Sequence, residues 1–342
     1  MIEELGTVEL RSGEQMTIKV VECPAGEYAE RLTRFLEHKG DVTFRDMKLR
    51  LRGDYAQHTL DRFFVGELEG RIISQMGYML ARDTLDVGVF GHVYTEPEHR
   101  GKGAASALME VCMRDFNAGP GQALFCGTGT PSAQRMYASH GFVPLYPEHA
   151  PIGPQGYIKP ILAADFAQLQ RMFFGSARPA HTRMAHMGDR AKVDKILHQC
   201  DAVRGMSSSW HRVFLAAAYP DFVRIYQAVE DGKGIFAVLE TDERHVVGYA
   251  FALAAGSPCE ARAKVLDLLV HPSYHEEAPT LIRSVAEQAL AAGARSVRCY
   301  LPACDAFKID AAQEAGLTQE HVFRAYCLMG HEPTDLLAFI LE

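Results

Sequence analysis

Polar and apolar residues alternate over Met16-Thr-Ile-Lys-Val-Val21, and that period of two predicts a strand, which leads into a helix. Phe63–Met79 reads as a hairpin turning at Glu69-Gly70, a pair suited to a tight turn. An extended run, Asp86–Thr95, comes next. It is followed by the helical run Ala104–Phe116 and a short apolar strand, Gln122–Cys126. Thr130 fits a helix N-cap with Pro131 at the first helical position, and Gly141 sits where a C-terminal glycine belongs. Residues 143–160 hold Pro144, Pro147, Pro151, Pro154 and Pro160 with Gly153 and Gly156, which reads as an interdomain connection.

Beyond that connection the pattern restarts. Tyr157–Phe166 has the look of a first strand leading into a helix, and Ile235–Leu253 of a hairpin turning near Thr241-Asp242. Leu269-Val-His-Pro272 matches Tyr94-Thr-Glu-Pro97, and Ala315-Gly-Leu317 matches His140-Gly-Phe142, both 175 residues apart. Self-similarity at one spacing predicts two tandem domains, 1–150 and 151–342. Residues 176–230, which hold the one tryptophan, Trp210, have no counterpart of similar length in the first half and read as an added helical piece that either closes over the acceptor site or packs between domains, the second being preferred.

The length of 342 residues allows each domain its own core. No apolar run approaches the roughly 18 residues of a membrane span, and Met1-Ile-Glu-Glu-Leu5 lacks a signal pattern. The eight cysteines (23, 112, 126, 200, 259, 299, 304, 327) form no Cys-x-x-Cys pair, so reduced thiols in a cytoplasm are expected. No metal is expected either: His271 and His275 lack further ligands and read as surface histidines. A net charge of −8 without a long basic tract argues against nucleic acid as partner.

The chemistry concentrates in Arg100-Gly-Lys-Gly-Ala-Ala105, between the extended run and the helix. The first helical N–H groups have no internal partner, and the helix dipole favours an anion there. Gly101 and Gly103 let the main chain approach phosphate oxygens, while Arg100 and Lys102 add charge. A P-loop string is missing, and Gly101-Lys-Gly-Ala-Ala-Ser106 lacks the third glycine of a dinucleotide fingerprint.

Pro97 followed by Arg100-x-x-Gly103-x-Ala105 resembles the pyrophosphate loop of the GNAT superfamily of acyl-CoA N-acyltransferases. Ala133, Tyr137, Gly141 and Phe142 resemble its second motif, with Thr130 standing where asparagine is usual. The two motifs occur in the family's order. The resemblance covers about residues 15–150 and implies an α/β (α+β) fold, in which two tandem GNAT-like domains each have a mixed, mostly antiparallel sheet flanked by helices.

It also implies acetyl-CoA as co-substrate and a small-molecule primary amine as acceptor, attacked directly. An amino sugar, an amino acid and an antibiotic are candidate acceptor classes. The diphosphate falls to Arg100, Gly101, Lys102, Gly103, Ala104 and Ala105. Main-chain groups of Val93, Tyr94 and Thr95, on a bulged strand, fall to the pantetheine arm, and Thr130 and Ala133 border the cofactor. Tyr137 is the implied acid for the CoA thiolate, since a phenol is protonated at neutral pH.

The base is open. Relatives place a carboxylate on the strand before the loop, but here His92 is the one titratable group of Val89–His92. Glu96 and Glu98 are expected to face solvent, and His140 to satisfy helix-end carbonyls. The acidic body around a basic groove favours a cationic acceptor.

In the second half Arg100 becomes His275, Gly101 and Lys102 become Glu276 and Glu277, Ala104 becomes Pro279 and Tyr137 becomes Ala312. Two carboxylates would face a diphosphate, so this copy is expected to be degenerate. Two other functions stand beside acetyl transfer: a GNAT-like acyl-CoA decarboxylase or longer-chain acyltransferase, and a non-catalytic CoA-responsive binding module. A second copy of the chain is an open partner. The first half is also short of closing strands. Either Tyr157–Leu162 supplies its last strand, or the domains share or exchange one, whereas Leu317–Met329 has room for both closing strands of the second half.

Overall fold

A computed structural model describes residues 1–144, 160–163, 166–175, 178–197, 222–255, 262–329 and 332–342. Trp210, Cys200, Cys259 and most of the 143–160 connection lie outside the described residues. The chain divides into two compact units, Met1–Phe166 and Ala167–Glu342. No helix among the described residues is long and apolar enough to cross a membrane.

The first unit holds strands β1 (Ile2–Glu9), β2 (Gln15–Glu22), β3 (Thr59–Leu68), β4 (Arg71–Ala81), β5 (Val87–Thr95), β6 (Ala123–Phe125), β7 (Val143–Pro144) and β8 (Pro160–Ala163). They form one sheet in the order β1-β2-β3-β4-β5-β6-β8-β7. Pairing is antiparallel except between β5 and β6. Helices α1 (Tyr28–Phe35) and α2 (Asp41–Arg52) pack with Val21, Phe63 and Val65 on one face. Helices α3 (Ala104–Ala118) and α4 (Pro131–Ser139) pack with Phe64, Tyr78 and Phe90 on the other.

The strand–turn rules hold locally. The β3–β4 hairpin turns through Glu69 and Gly70, both with positive φ. Helix α4 has Thr130 at its N-cap, Pro131 at N1 and Gly141 just past its end at φ 90°, although the Thr130 hydroxyl makes no capping bond. His140 Nδ1 donates to the carbonyl of Met136 at 2.9 Å, as its place at the helix end suggested.

Two readings change at the junction. Pro160–Ala163 belongs to the first sheet, where it pairs with β6 and β7, so the first unit runs to Phe166 rather than to 150. The physical reason is the free edge of β6, which this strand covers. The closing pair of the second unit is likewise longer than Leu317–Met329: that stretch supplies one strand and Glu332–Leu341 the other. Strand β1, which the sequence pattern did not reveal, adds to the outer edge of β2.

The second unit holds helix α5 (Phe166–Phe174), whose first residue falls in the first unit, and strand β9 (Ala180–Met184), then α6 (Asp189–Leu197) and α7 (Phe222–Glu230). Strands β10 (Gly234–Thr241), β11 (Val246–Ala254) and β12 (Ala263–Val270) follow, then α8 (Ala278–Ala291), β13 (Ser296–Pro302), α9 (Ala306–Glu314), β14 (Thr318–Met329) and β15 (Glu332–Leu341). Its sheet order, β14-β15-β13-β12-β11-β10-β9, repeats the order β7-β8-β6-β5-β4-β3-β2 of the first, again with one parallel pair, β12 and β13. His271 and His275 are half-buried here: His271 stacks on Phe174 and His275 on Phe307, rather than both facing solvent. Burial, then the neighbouring His275, pulls the His271 pKa down to about 4.

A buried carboxylate ties a helix to the sheet in both units. In the first, a bulge between Gly66 and Glu67 turns Glu67 inward, where it meets Lys19 (2.9 Å), Arg31 (2.5 Å) and the Tyr28 hydroxyl (2.9 Å). In the second, a bulge between Leu239 and Glu240 places Glu240 against Arg183 (2.5 Å), which also grips Asp189 of α6 (2.7 Å). Burial alone would raise the Glu67 pKa, but the bonds from Lys19, Tyr28 and Arg31 win and hold it below the ordinary range. A depressed pKa contributes stability above the unfolded value near ~4.3, which is lost as pH falls through the folded value. Glu67→Gln should therefore unfold about 2 kcal/mol more easily in urea at pH 7, with the gap closing below about pH 4.

Candidate active site

The strand β5 carries the decisive irregularity. Gln75 of β4 pairs with Tyr94 and Gly77 with Gly91, so Met76 alone opposes both His92 and Val93. His92 adopts φ 58°, a left-handed conformation that a non-glycine residue takes at a cost. Its carbonyl accepts a short hydrogen bond from Gln75 Nε2. On the opposite edge, pairing with β6 covers only Val87–Val89. From Phe90 onwards β5 has no partner in β6, which ends at Phe125, and a cleft of about 750 Å³ opens there.

The loop after β5 borders that cleft. Gly101 and Gly103 have φ 75° and 99°, and a Cβ on either would meet nothing within 4 Å. Glycine is required for backbone conformation there, and the space above remains open. The first hydrogen bond of α3 runs from Ala107 N to Gly103 O, so the amides of Ala104, Ala105 and Ser106 lack helical acceptors and face an anion site. All three residues line the cleft.

Of the residues singled out by sequence, His92, Val93, Tyr94, Thr95, Arg100, Gly101, Gly103, Ala104, Ala105, Thr130, Ala133 and Tyr137 all border this one cleft. Lys102 does not. Its ammonium pairs with Glu14 in the β1–β2 turn at 3.2 Å, and its carbonyl accepts from Arg11 N at 3.0 Å. Lys102 thus pins the loop to the hairpin instead of presenting a cation. Glu96 and Glu98 pair with Arg71 at 2.8 and 3.2 Å. With His99 they place three ligand atoms within 4.8 Å of one another, a group in which Arg71 already neutralises the carboxylates.

Tyr137 is buried on α4, its ring edge-on to Phe90 at 5.5 Å and beside Phe142 at 5.7 Å. His92 is tied elsewhere: Arg50 Nη1 lies 3.0 Å from its Nε2. A guanidinium has no lone pair to offer, so Nε2 accepts and the ring proton sits on Nδ1. Arg50 is 2% exposed and bonded to Asp61 at 2.5 Å, with Asp46 at 3.7 Å. Burial opposes its charge, while Asp61 and Asp46 outweigh that and raise its pKa. Nε2 can therefore take a proton only once the Arg50 bond opens.

Sequence reasoning missed Arg50, Arg11, Lys39 and His99. The last three line the cleft, and Arg50 reaches it through His92. No local signal marks Arg50, Arg11 and Lys39, which meet the site through a distant turn or helix, whereas His99 directly precedes Arg100 in the loop.

In the second unit the equivalent positions, 175 residues on, are filled. Asp267 stands for His92 and Lys308 for Ala133, and they form a buried ion pair at 2.7 Å. His275 stands for Arg100 and Phe307 for Ser132, and their rings stack at 3.5 Å. Strand β12 keeps an unbroken register with β11 from Lys264 to Val270, without the bulge of β5.

Residues 59–144 match the family model of the acetyltransferase (GNAT) domain. The matched stretch lies within the first unit. Among solved structures, an N-acetyltransferase from Staphylococcus aureus is 16% identical with a TM-score of 0.41, covering 48% of this chain and 98% of that one. Spermidine N-acetyltransferase from Vibrio cholerae, with CoA and spermine, is 13% identical with a TM-score of 0.39, covering 47% and 94%. A phosphinothricin acetyltransferase from Sinorhizobium meliloti, with acetyl-CoA, is 15% identical with a TM-score of 0.41, covering 47% and 87%. No curated protein matches this chain.

Removing Arg50 leaves two buried carboxylates and the bulge unsupported. Arg50→Met should destabilise the first unit by about 3–5 kcal/mol in denaturant unfolding.

Proposed function

We propose that the first unit is an acetyl-CoA-dependent N-acetyltransferase acting on a primary amine of a small molecule by direct attack. One observation carries the reading: the amides of Ala104, Ala105 and Ser106 and the Tyr137 side chain border one cleft, beside the bulge at His92. A diphosphate fits the amides and the helix dipole, with the main chain of Arg100 opening the loop, while its side chain lies over Tyr94. The β6-facing edge of β5 past Val89 suits the amides of a pantetheine arm, with Val93, Tyr94 and Thr95 as the strand it would extend. Thr130 and Ala133 are assigned to the wall beside it, at the start of α4.

The neutral amine attacks the thioester carbonyl, the C–S bond breaks, and the sulfur leaves with the electron pair. Tyr137 is assigned as the donor of the thiolate's proton, and the proton released by the amine restores it through solvent. His92 takes a direct part as base only if its Arg50 bond opens; while that bond holds, it fixes the bulge. The second unit is read as a copy that has lost CoA binding. The Asp267–Lys308 pair and the His275–Phe307 stack support this, since both occupy positions that line the cleft in the first unit.

Thiol release from acetyl-CoA across a panel of amines tests the reading. Turnover with at least one amine is expected, and Tyr137→Phe should lower kcat about 10²–10⁴-fold with little change in CoA affinity. Normal CoA binding without turnover on any amine would contradict it.

A further inference from the structure

The α1–α2 connection brings Lys39 to the cleft. Its Nζ lies 5.8 Å from the centre of the Tyr94 ring, and Arg100 Cζ lies 5.8 Å from the same centre. His38 lies tilted against that ring with centres 3.9 Å apart, and Phe35 meets its edge at 5.2 Å. Arg100 is held in place by its Nε bond to the Thr95 carbonyl at 3.0 Å. Two cations and an imidazole therefore gather around one aromatic side chain.

Many other basic groups of the unit are paired with carboxylates, although Arg11, at the same cleft, reaches only the Gly101 carbonyl. Lys19 and Arg31 meet Glu67, Arg50 meets Asp61, Arg62 meets Asp115, Arg71 meets Glu96, and Lys102 meets Glu14. Among the described residues neither Lys39 nor Arg100 pairs with a carboxylate, and no aspartate or glutamate lines the cleft. Burial pulls the Lys39 pKa down with no acidic neighbour to restore it. His38 is lowered too, first by burial and then by Lys39, with Arg100 adding to the effect. An arriving anion would relieve both desolvation and repulsion.

The side of the strand identifies the ligand. Tyr94 packs with the α1–α2 core, whereas Val93 packs with the α3 core behind the phosphate loop. An anion over Tyr94 is thus on the opposite face of β5 from the apolar group that backs the loop amides. We propose that Lys39 and Arg100 form an anion-binding pair over Tyr94 that selects an acceptor amine bearing a carboxylate. The inference rests on the acetyltransferase reading, and it replaces the cationic acceptor expected from net charge with an anionic or zwitterionic one.

Calorimetry on the CoA-saturated protein tests this without turnover, using amino acids, their carboxamides and spermidine as probes. At least one free acid should bind about ten- to a hundredfold tighter than its amide. Lys39→Met should remove that preference and Lys39→Arg should keep it, with the CoA dissociation constant within about twofold of wild type. Equal or tighter binding of the amides or of spermidine would overturn the proposal, as would no binding of any acid. So would a Lys39→Met protein that loses the wild type's discrimination between CoA and dephospho-CoA, since the anion would then be the 3′-phosphate. Acids that bind as described yet are never acetylated would leave the anion pair standing and remove the transferase reading instead.

Discussion

Two residues of β5 opposite one of β4 decide what this protein can do. The extra residue lies just past the point where β5 loses its partner β6, and the unpaired edge, the first turn of α3 and α4 border a single cleft. The bulge is held from behind. Gln75 bonds the His92 carbonyl, and Arg50 bonds its ring. A guanidinium buried at 2% exposure is tolerable only because Asp61 and Asp46 balance its charge, so helix α2, strand β3 and the bulge are locked to one another.

The second unit is a natural contrast. It keeps the strand order, the single parallel pair and the inward-turned glutamate that fastens a helix to the sheet. It lacks the bulge, and its counterpart positions are occupied by a lysine–aspartate pair and a stacked histidine. The determinants of fold and of cleft are thus separable: the sheet clamp appears in both units, and among the described residues the bulge beside the cleft has no counterpart in the second.

Local chemistry was legible in the sequence, and long-range pairing was not. The glycines of the loop, the proline start and glycine end of α4, and the Glu69-Gly70 turn are set by φ preferences of neighbouring residues, so each could be read from a few positions. The 175-residue repeat was legible because both copies keep a helix after each strand of the parallel pair. Arg50 could not be paired with His92, nor Lys102 with Glu14, because 42 and 88 residues separate them. Lys308 inside α9 runs against the apolar pattern of a buried helix face, and only the facing Asp267 explains it. The first unit's boundary was misplaced for a similar reason: a proline-rich stretch reads as linker until the strand it contains finds β6.

The account stands on one binding site, made by the amides that follow Gly103, in one unit of two. Calorimetric titration of the whole chain with CoA measures it directly. One equivalent per chain is expected, abolished by Gly103→Glu, because a side chain at φ 99° distorts the turn and its carboxylate repels the diphosphate. Two equivalents per chain, or an unchanged affinity after that substitution, would contradict it.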